Sequence, residues 1–304
     1  MKILVADSIH EDGVRELSKI GEVEVRTGMS REELIERVRD ADVLIVRSAT
    51  KVTRDVIEAG KKLRIIARAG VGLDNIDVKA AREREIAVVN APEAPSVAVA
   101  ELVIGLMLAF VRHIPAADAS MKSGKWEKKA FMGRELRGKI LGIIGTGKIG
   151  REVARRAKAF EMNLLLYDVV RDEEFAKEVG GRYVGLEELL RNSDFVSIHI
   201  PLTESTRCLI GQREISMMKP GAVLVNTSRG AVVDEKALAE ALKAGRIGGA
   251  CLDVFEKEPP VGSPILECPN TVLTPHIGAS TAEAQREAAL IIAEKIRRIV
   301  EGRS

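Results

Sequence analysis

Near the end of the chain, Thr274-Pro275-His276-Ile277-Gly278-Ala279-Ser280 holds one of only four histidines. A proline directly before His276 and a glycine shortly after it set the ring in a loop just beyond a strand. An imidazole titrates near pH 6.5, so a loop histidine is suited to taking up and releasing a proton. Two other reactive groups also follow strand-like runs: AVLVNTSRG puts Arg229 past one, and GACLDVFEKEPP puts Glu258 past another. An arginine can grip a carboxylate through two hydrogen bonds and polarise a neighbouring carbonyl. A glutamate paired with the histidine would orient the ring and favour its protonated form. Each group has a plainer alternative: a surface charge for Arg229, a solvated loop residue for Glu258, a helix cap for His276. The remaining histidines offer no proton-transfer role: His10 starts a helix, His113 ends one, and His199 lies in a strand leading to Pro201.

What raises the three above their alternatives is an upstream motif. KILGIIGTGKIGREVARRAKAF carries Gly145, Gly147 and Gly150 as GxGxxG, with an apolar strand before and an amphipathic helix after. Eighteen residues beyond Gly150, at the end of LLLYD, stands Asp168. Gly145 permits the tight turn, Gly147 lets backbone N–H groups approach a pyrophosphate, and Gly150 lets the helix pack closely on the sheet. Asp168 can accept hydrogen bonds from an adenosine ribose and would repel a 2′-phosphate, so the pattern favours NAD; Arg171, close by, is the residue that could oppose that preference. A glycine-rich structural turn with an unrelated aspartate is the alternative. A nicotinamide cofactor implies hydride transfer, and oxidising an alcohol that way needs a base for the hydroxyl proton. Arg229, Glu258 and His276 are together what a dehydrogenase of 2-hydroxy or 2-oxo acids requires.

These groups need elements to hold them. Before residue 91, KILVAD, EVEV, DVLIVRS, LRIIARAG and IAVVN read as strands, separated by the helical patterns HEDGVRELSKI, SREELIERVRD and TRDVIEA. Ser30 with Glu33 three residues on predicts a capping box. A second series of strands, KILGII, NLLLYD, FVSIHI, AVLVNTS, GACLDV and TVLTP, starts near residue 139, with helices in KIGREVARRAKAF and DEKALAEALKAG. Alternating βα units predict an α/β fold with parallel sheets flanked by helices. The join is APEAPS, Ala91 to Ser96. The terminal helical pattern, TAEAQREAALIIAEKIRRIVEG, has no strand after it and is expected to pack back on the first domain. The predicted domains are therefore a discontinuous first domain, 1–95 plus 282–304, and an NAD-binding domain around the glycine motif, 96–281.

Bulk properties exclude several classes. The chain has 304 residues, enough for about two domains. A net charge of +2 gives no field favouring nucleic acid or an anionic membrane. Cys208, Cys251 and Cys268 show no CxxC spacing and read as reduced thiols of a cytoplasmic protein, with no metal site. MKILVAD runs straight into a strand and lacks a signal-peptide apolar core. The longest apolar stretch, Val97 to Phe110, is interrupted by Glu101, falls short of the roughly 18 residues of a membrane span, and reads as a buried helix. Two glutamines and six asparagines beside abundant Lys, Arg and Glu resemble a hyperthermophile composition.

GTGKIG with Asp168, NTSRGAVVDE, LDVFEKEPP and TPHIGAST occur here in the order they have in the D-isomer-specific 2-hydroxyacid dehydrogenases, and the resemblance covers essentially the whole chain. It implies two Rossmann-like domains with the active site in the interdomain cleft, and a catalytic set of Arg229, Glu258 and His276. It further implies NAD contacts from Val71, Lys148, Ile149, Ile200, Pro201, Thr206, Thr227, Ser228, Asp253, Gly278 and Ala279 beside the glycines and Asp168. RSATKVT, ARAGVGLDNID and GKWEKKAFMGREL resemble the members that oxidise D-3-phosphoglycerate, the first step of serine biosynthesis. That likeness implies substrate contacts from Arg47, Ser48, Gly70 and Gly72, support of the 70–72 loop by Asn75, and a phosphate contact from Lys128 or Lys129, where solvated charge is the alternative. It also implies a short form without the C-terminal serine-binding domain, and a homodimer through residues 96–138. A glyoxylate or hydroxypyruvate reductase of the same family is the nearest rival, and an NAD(H)-sensing binding protein of the same fold a more distant one.

Overall fold

The computed structural model describes residues 1–302 of the chain. They divide into two compact units, 1–96 with 279–302, and Val97–Gly278. The division falls a residue or so from the predicted 95/96 boundary and three residues ahead of 281/282. Residues 279–281 lead directly into the helix Ala282–Val300, which packs on the helix Glu11–Leu17 and on the first sheet.

The first unit holds a parallel sheet of β1 (Lys2–Val5), β2 (Glu22–Val25), β3 (Val43–Val46), β4 (Ile65–Arg68) and β5 (Ala87–Asn90), in the order β2-β1-β3-β4-β5. VLIV of β3 is buried at every position, as a central parallel strand covered on both faces must be. EVEV of β2 sits at the edge and keeps both glutamates exposed, which discourages pairing with another chain. Ala288, Ile292, Ala293 and Ile296 of the terminal helix close one face of this sheet against Ile3, Val5, Ile45 and Ile65. The predicted capping box is half made. Ser30 Oγ accepts the Glu33 N–H at 3.2 Å, but the Glu33 carboxylate turns to Arg26 at 3.0 Å, a stronger charged partner than a backbone amide.

The second unit holds β6 (Ile140–Ile144), β7 (Asn163–Tyr167), β8 (Gly181–Tyr183), β9 (Phe195–Ile198), β10 (Val223–Asn226), β11 (Gly249–Leu252) and β12 (Thr271–Leu273). All pair in parallel in the order β12-β11-β10-β9-β6-β7-β8. The sequence reading lacked β8, since three residues after a left-handed Gly180 carry no periodicity. FVSIHI predicts a strand to Ile200, but β9 ends at Ile198, so His199 and Ile200 lie just past it. The helix Ser96–Val111 is buried on one side only. Ala100, Val103, Leu106, Met107 and Val111 join the core, while Glu101 and Gly105 are exposed and Val97 is 48% exposed. Among the described residues no single helix is long and apolar enough to cross a membrane.

Candidate active site

In the second unit the sheet order reverses beside β6, with β7 on one side and β9 on the other. At such a switch point the helices leave on opposite faces and open a crevice at the carboxyl ends of the strands. The glycine motif lies there. Gly145 has φ +94°, and a Cβ on it would come within 2.6 Å of the His199 carbonyl oxygen. A Cβ on Gly150 would lie 2.0 Å from the Gly145 carbonyl oxygen, so helix and turn meet only without one. A Cβ on Gly147 would meet nothing within 4 Å, which leaves space for a ligand. Gly147 caps the helix Lys148–Ala159 without any side-chain hydrogen bond, so the dipole end and its N–H groups face that space.

Asp168 directly follows β7. Its carboxylate accepts the Thr146 N–H at 2.6 Å, the Thr146 hydroxyl at 3.1 Å and the Val170 N–H at 3.2 Å. Burial alone would raise its pKa; these donors outweigh burial and hold it below the ordinary carboxylate value. Thr146, Gly147, Arg151, Asp168, Val170 and Arg171 line an open hollow of about 560 Å³, in the range of small-molecule sites. An anion-attracting helix end, open space at Gly147 and an ionised acceptor at Asp168 fit the pyrophosphate and ribose of a dinucleotide.

The reactive trio lies in the same unit. His276 Nδ1 and Glu258 Oε2 are 2.7 Å apart, and Glu258 Oε1 accepts the Phe255 N–H at 3.2 Å. The hydrogen bond to Glu258 is the largest influence on His276; burial works against it, and the net effect holds the imidazole above its ordinary pKa. For Glu258 burial is the largest influence and acts upward, but the bond and charge of His276 and the Phe255 N–H leave its pKa lowered. With Nδ1–H donated to the carboxylate, Nε2 is the ring atom left to exchange a proton. Arg229 lies close enough that its charge favours ionised Glu258 and opposes protonation of His276. Gly230 is why the two loops approach: a Cβ there would lie 1.9 Å from the Phe255 carbonyl carbon. The sequence reading passed over Gly230, although a glycine directly after the arginine was its signal.

His276 has φ +53°, a left-handed conformation that costs a residue with a side chain about 1 kcal/mol. Buried Asp253 imposes it. Asp253 Oδ1 accepts the Thr274 hydroxyl at 2.6 Å and the Ile277 N–H at 2.8 Å, and Oδ2 accepts the Gly278 N–H at 2.8 Å. Asp253 therefore holds the histidine loop. His199 is the opposite case: half-buried, bonded through Nε2 to Ser197 Oγ at 2.8 Å, and pushed by burial down to about 3.

Other expected cofactor residues are held by their own loops. Thr206 Oγ1 donates to the Pro201 carbonyl at 2.7 Å, next to Ile200. Ser228 donates its N–H and hydroxyl to Asn226 Oδ1, and the buried Thr227 hydroxyl has no hydrogen-bond partner among the described residues. Lys148 and Ile149 open the helix after Gly147. Val71 and Ala279 fall in the first unit, Ala279 as the residue directly after Gly278.

In the first unit the Arg47–Thr50 loop is clamped from two sides. Asp7 accepts the Arg47 N–H at 2.6 Å, the Thr50 N–H at 3.1 Å and the Thr50 hydroxyl at 2.7 Å. Asn75 Nδ2 donates to the Arg47 and Thr50 carbonyls, each at 2.7 Å. Asn75 thus supports the loop of Arg47 and Ser48. The loop of Gly70, Val71 and Gly72 is held instead by Asn90, which donates to the Val71 carbonyl at 2.5 Å, and by the Ala91 N–H bonded to Gly70. Asp7 was not singled out from sequence, because its partners lie 40 or more residues away. Among the described residues no group of three or more His, Cys, Asp or Glu side chains is placed to hold a metal ion.

The family model for the D-isomer specific 2-hydroxyacid dehydrogenase NAD-binding domain matches residues 104–278. The chain belongs to the D-isomer specific 2-hydroxyacid dehydrogenases and carries their NAD-binding domain. It is 55% identical to the D-3-phosphoglycerate dehydrogenase of Methanocaldococcus jannaschii over 99% of this chain and 58% of that one. It is 50% identical to the hydroxypyruvate reductase of Thermotoga maritima, over 97% of each chain. The crystal structure of D-lactate dehydrogenase from Aquifex aeolicus, complexed with NAD and lactic acid, superimposes with a TM-score of 0.87 at 31% identity, covering 99% of this chain and 96% of that one. The chain spans 58% of the length of the D-3-phosphoglycerate dehydrogenase from Methanocaldococcus jannaschii that it matches.

Proposed function

We propose that the chain oxidises D-3-phosphoglycerate to 3-phosphohydroxypyruvate with NAD, the reaction that opens serine synthesis. The observation that carries the dehydrogenase reading is the 2.7 Å His276–Glu258 pair in the unit that also holds the glycine motif. Arg229 grips the substrate carboxylate and polarises the C2 oxygen. His276 Nε2 takes the C2 hydroxyl proton, and Glu258 stabilises the imidazolium that forms. Gly145, Gly147, Gly150 and Asp168 would hold NAD, which would supply the acceptor for the C2 hydride. Arg47, Ser48, Gly70 and Gly72 are the proposed substrate contacts of the first unit, with Asn75 and Asp7 fixing the Arg47 loop. Lys128 or Lys129, both exposed, is the proposed phosphate contact.

One relative favours the phosphorylated substrate: the Methanocaldococcus D-3-phosphoglycerate dehydrogenase at 55% identity. The second reading, a hydroxypyruvate reductase, is favoured by the Thermotoga relative, which matches this chain from end to end. We further propose a homodimer through residues 96–138, where Val97, Ile114, Met121, Trp126 and Met132 expose apolar surface and Trp126 is 80% exposed. Cytoplasmic location is proposed on the three unpaired cysteines.

NADH absorbance followed with 3-phosphohydroxypyruvate, hydroxypyruvate and glyoxylate in parallel tests the substrate. A kcat/KM preference of about 100-fold for the phosphorylated acid is expected, worth nearly 3 kcal/mol. Equal or faster turnover of hydroxypyruvate would overturn the phosphoglycerate reading in favour of the reductase.

A further inference from the structure

The residue between the first two glycines of the motif is joined to the ribose acceptor by more bonds than a turn requires. Thr146 is 4% exposed. Its N–H reaches Asp168 Oδ2 at 2.6 Å and its hydroxyl reaches the same oxygen at 3.1 Å. An ionised carboxylate only accepts, so the single hydroxyl hydrogen of Thr146 is spent on Asp168. The 2.8 Å contact between Thr146 Oγ1 and the Tyr183 phenol must then run from tyrosine to threonine. Tyr183 comes from β8, the strand beyond β7, so the relay spans the edge of the sheet. From the other side Arg151 Nε donates to the Thr146 carbonyl at 3.1 Å. The Arg151 guanidinium is itself anchored, 2.7 Å from Asp172 and 4.5 Å above the Phe175 ring.

Oδ2 takes two donors and Oδ1 the Val170 N–H, with the Val169 N–H also turned to the carboxylate, so the acceptor capacity Asp168 keeps for a ligand is on Oδ1. We propose that Thr146, backed by Tyr183, is a positioning residue that presents Asp168 to the adenosine ribose and so sets the preference for a dinucleotide without a 2′-phosphate. This rests on the reading that Asp168 accepts the ribose hydroxyls. A dinucleotide phosphorylated at that position lacks the hydroxyl the acceptor is presented to, so weakening the relay penalises one cofactor and spares the other.

The test is fluorescence titration of the full chain with NADH and with NADPH, for the wild type and four variants, each checked by thermal melting. Thr146→Val keeps the shape and removes the hydroxyl. It should weaken NADH about tenfold, the scale of one charge-assisted hydrogen bond, and change NADPH less than about twofold. Thr146→Ser restores the hydroxyl and should hold NADH within about twofold of wild type. Tyr183→Phe removes only the outer donor and should weaken NADH about threefold; it carries the test alone if Thr146→Val does not fold. Asp168→Ala separates the two layers of the argument. If it leaves NADH binding unchanged, the ribose reading falls and the relay with it. If it weakens NADH while Thr146→Val and Tyr183→Phe do not, the relay alone is overturned. Equal weakening of NADH and NADPH by Thr146→Val also overturns it, because damage to the turn would not distinguish the cofactors.

Discussion

Each unit of this chain has a parallel sheet whose strand order reverses beside its first strand, β1 in one and β6 in the other. Only one of the two is built to receive a dinucleotide. After β6 the backbone enters its helix through Gly145 and Gly147, with no side-chain cap and no acidic residue in the first turn. After β1 it enters through Asp7 and His10. The His10 ring accepts the Asp12 N–H at 3.2 Å, and Glu11 and Asp12 occupy the first turn. Two carboxylates at a helix N-terminus suit the dipole and repel a phosphate from the same place. The Asp7 side chain serves the backbone and hydroxyl of the neighbouring loop. The same topology thus becomes a cofactor cradle or a loop clamp according to a few residues after the first strand. Fold alone assigns neither role.

The sharpest way to break this contrast is to add one methyl group. Gly150→Ala places a carbon 2.0 Å from the Gly145 carbonyl oxygen, so the turn must open, and NADH affinity should fall by about 100-fold or more with a lowered melting temperature. Gly147→Ala meets no protein atom and should leave the melting temperature nearly unchanged, yet weaken NADH as well, since the space it fills is the ligand's. Titration of both variants beside their melting curves checks the pair. Equal loss of stability in the two would mean that the open space at Gly147 is not a ligand space.

His276→Ala asks whether the cradle and the proton-transfer group separate. The kcat for NADH-dependent reduction should drop about 10²- to 10⁴-fold while NADH binding stays within a few-fold. A parallel loss of both would place His276 in the fold of the cradle. Asp7→Asn probes the other switch point with a smaller expected effect. Loosening the Arg47 loop should raise KM for the oxo acid about three- to tenfold and leave NADH affinity alone. Initial-rate kinetics with each substrate varied in turn measures both.

The strands were legible because buried parallel strands are runs of Val, Ile and Leu, and the glycine motif because each glycine answers a separate steric demand. Glu258 and His276 were legible as residue types past strand ends; their hydrogen bond depends on a loop conformation that sequence does not carry. Asp7 and Tyr183 were not legible as partners. They act across 40 and 37 residues, through contacts that exist only once the sheet has formed. β8 was missed for a related reason, since pairing with β7 makes it a strand and its own three residues do not. The half-exposed helix Ser96–Val111 shows the limit from the other side: an apolar run signals burial without saying against what.

In the proposed mechanism Glu258 holds His276 as the acid and base of hydride transfer. That role is tested most directly by the pH dependence of kcat for NADH-dependent reduction, in the wild type and in Glu258→Gln. Reduction needs the protonated ring, and Glu258 holds the His276 pKa above its ordinary value. Wild-type activity should therefore persist above pH 6.5 and fall only as pH rises through the raised value. Glutamine keeps the size and removes the charge, so the descending limb should move to lower pH, with kcat near pH 7.5 reduced about tenfold. A limb that stays in place would contradict the account and assign the proton to another group.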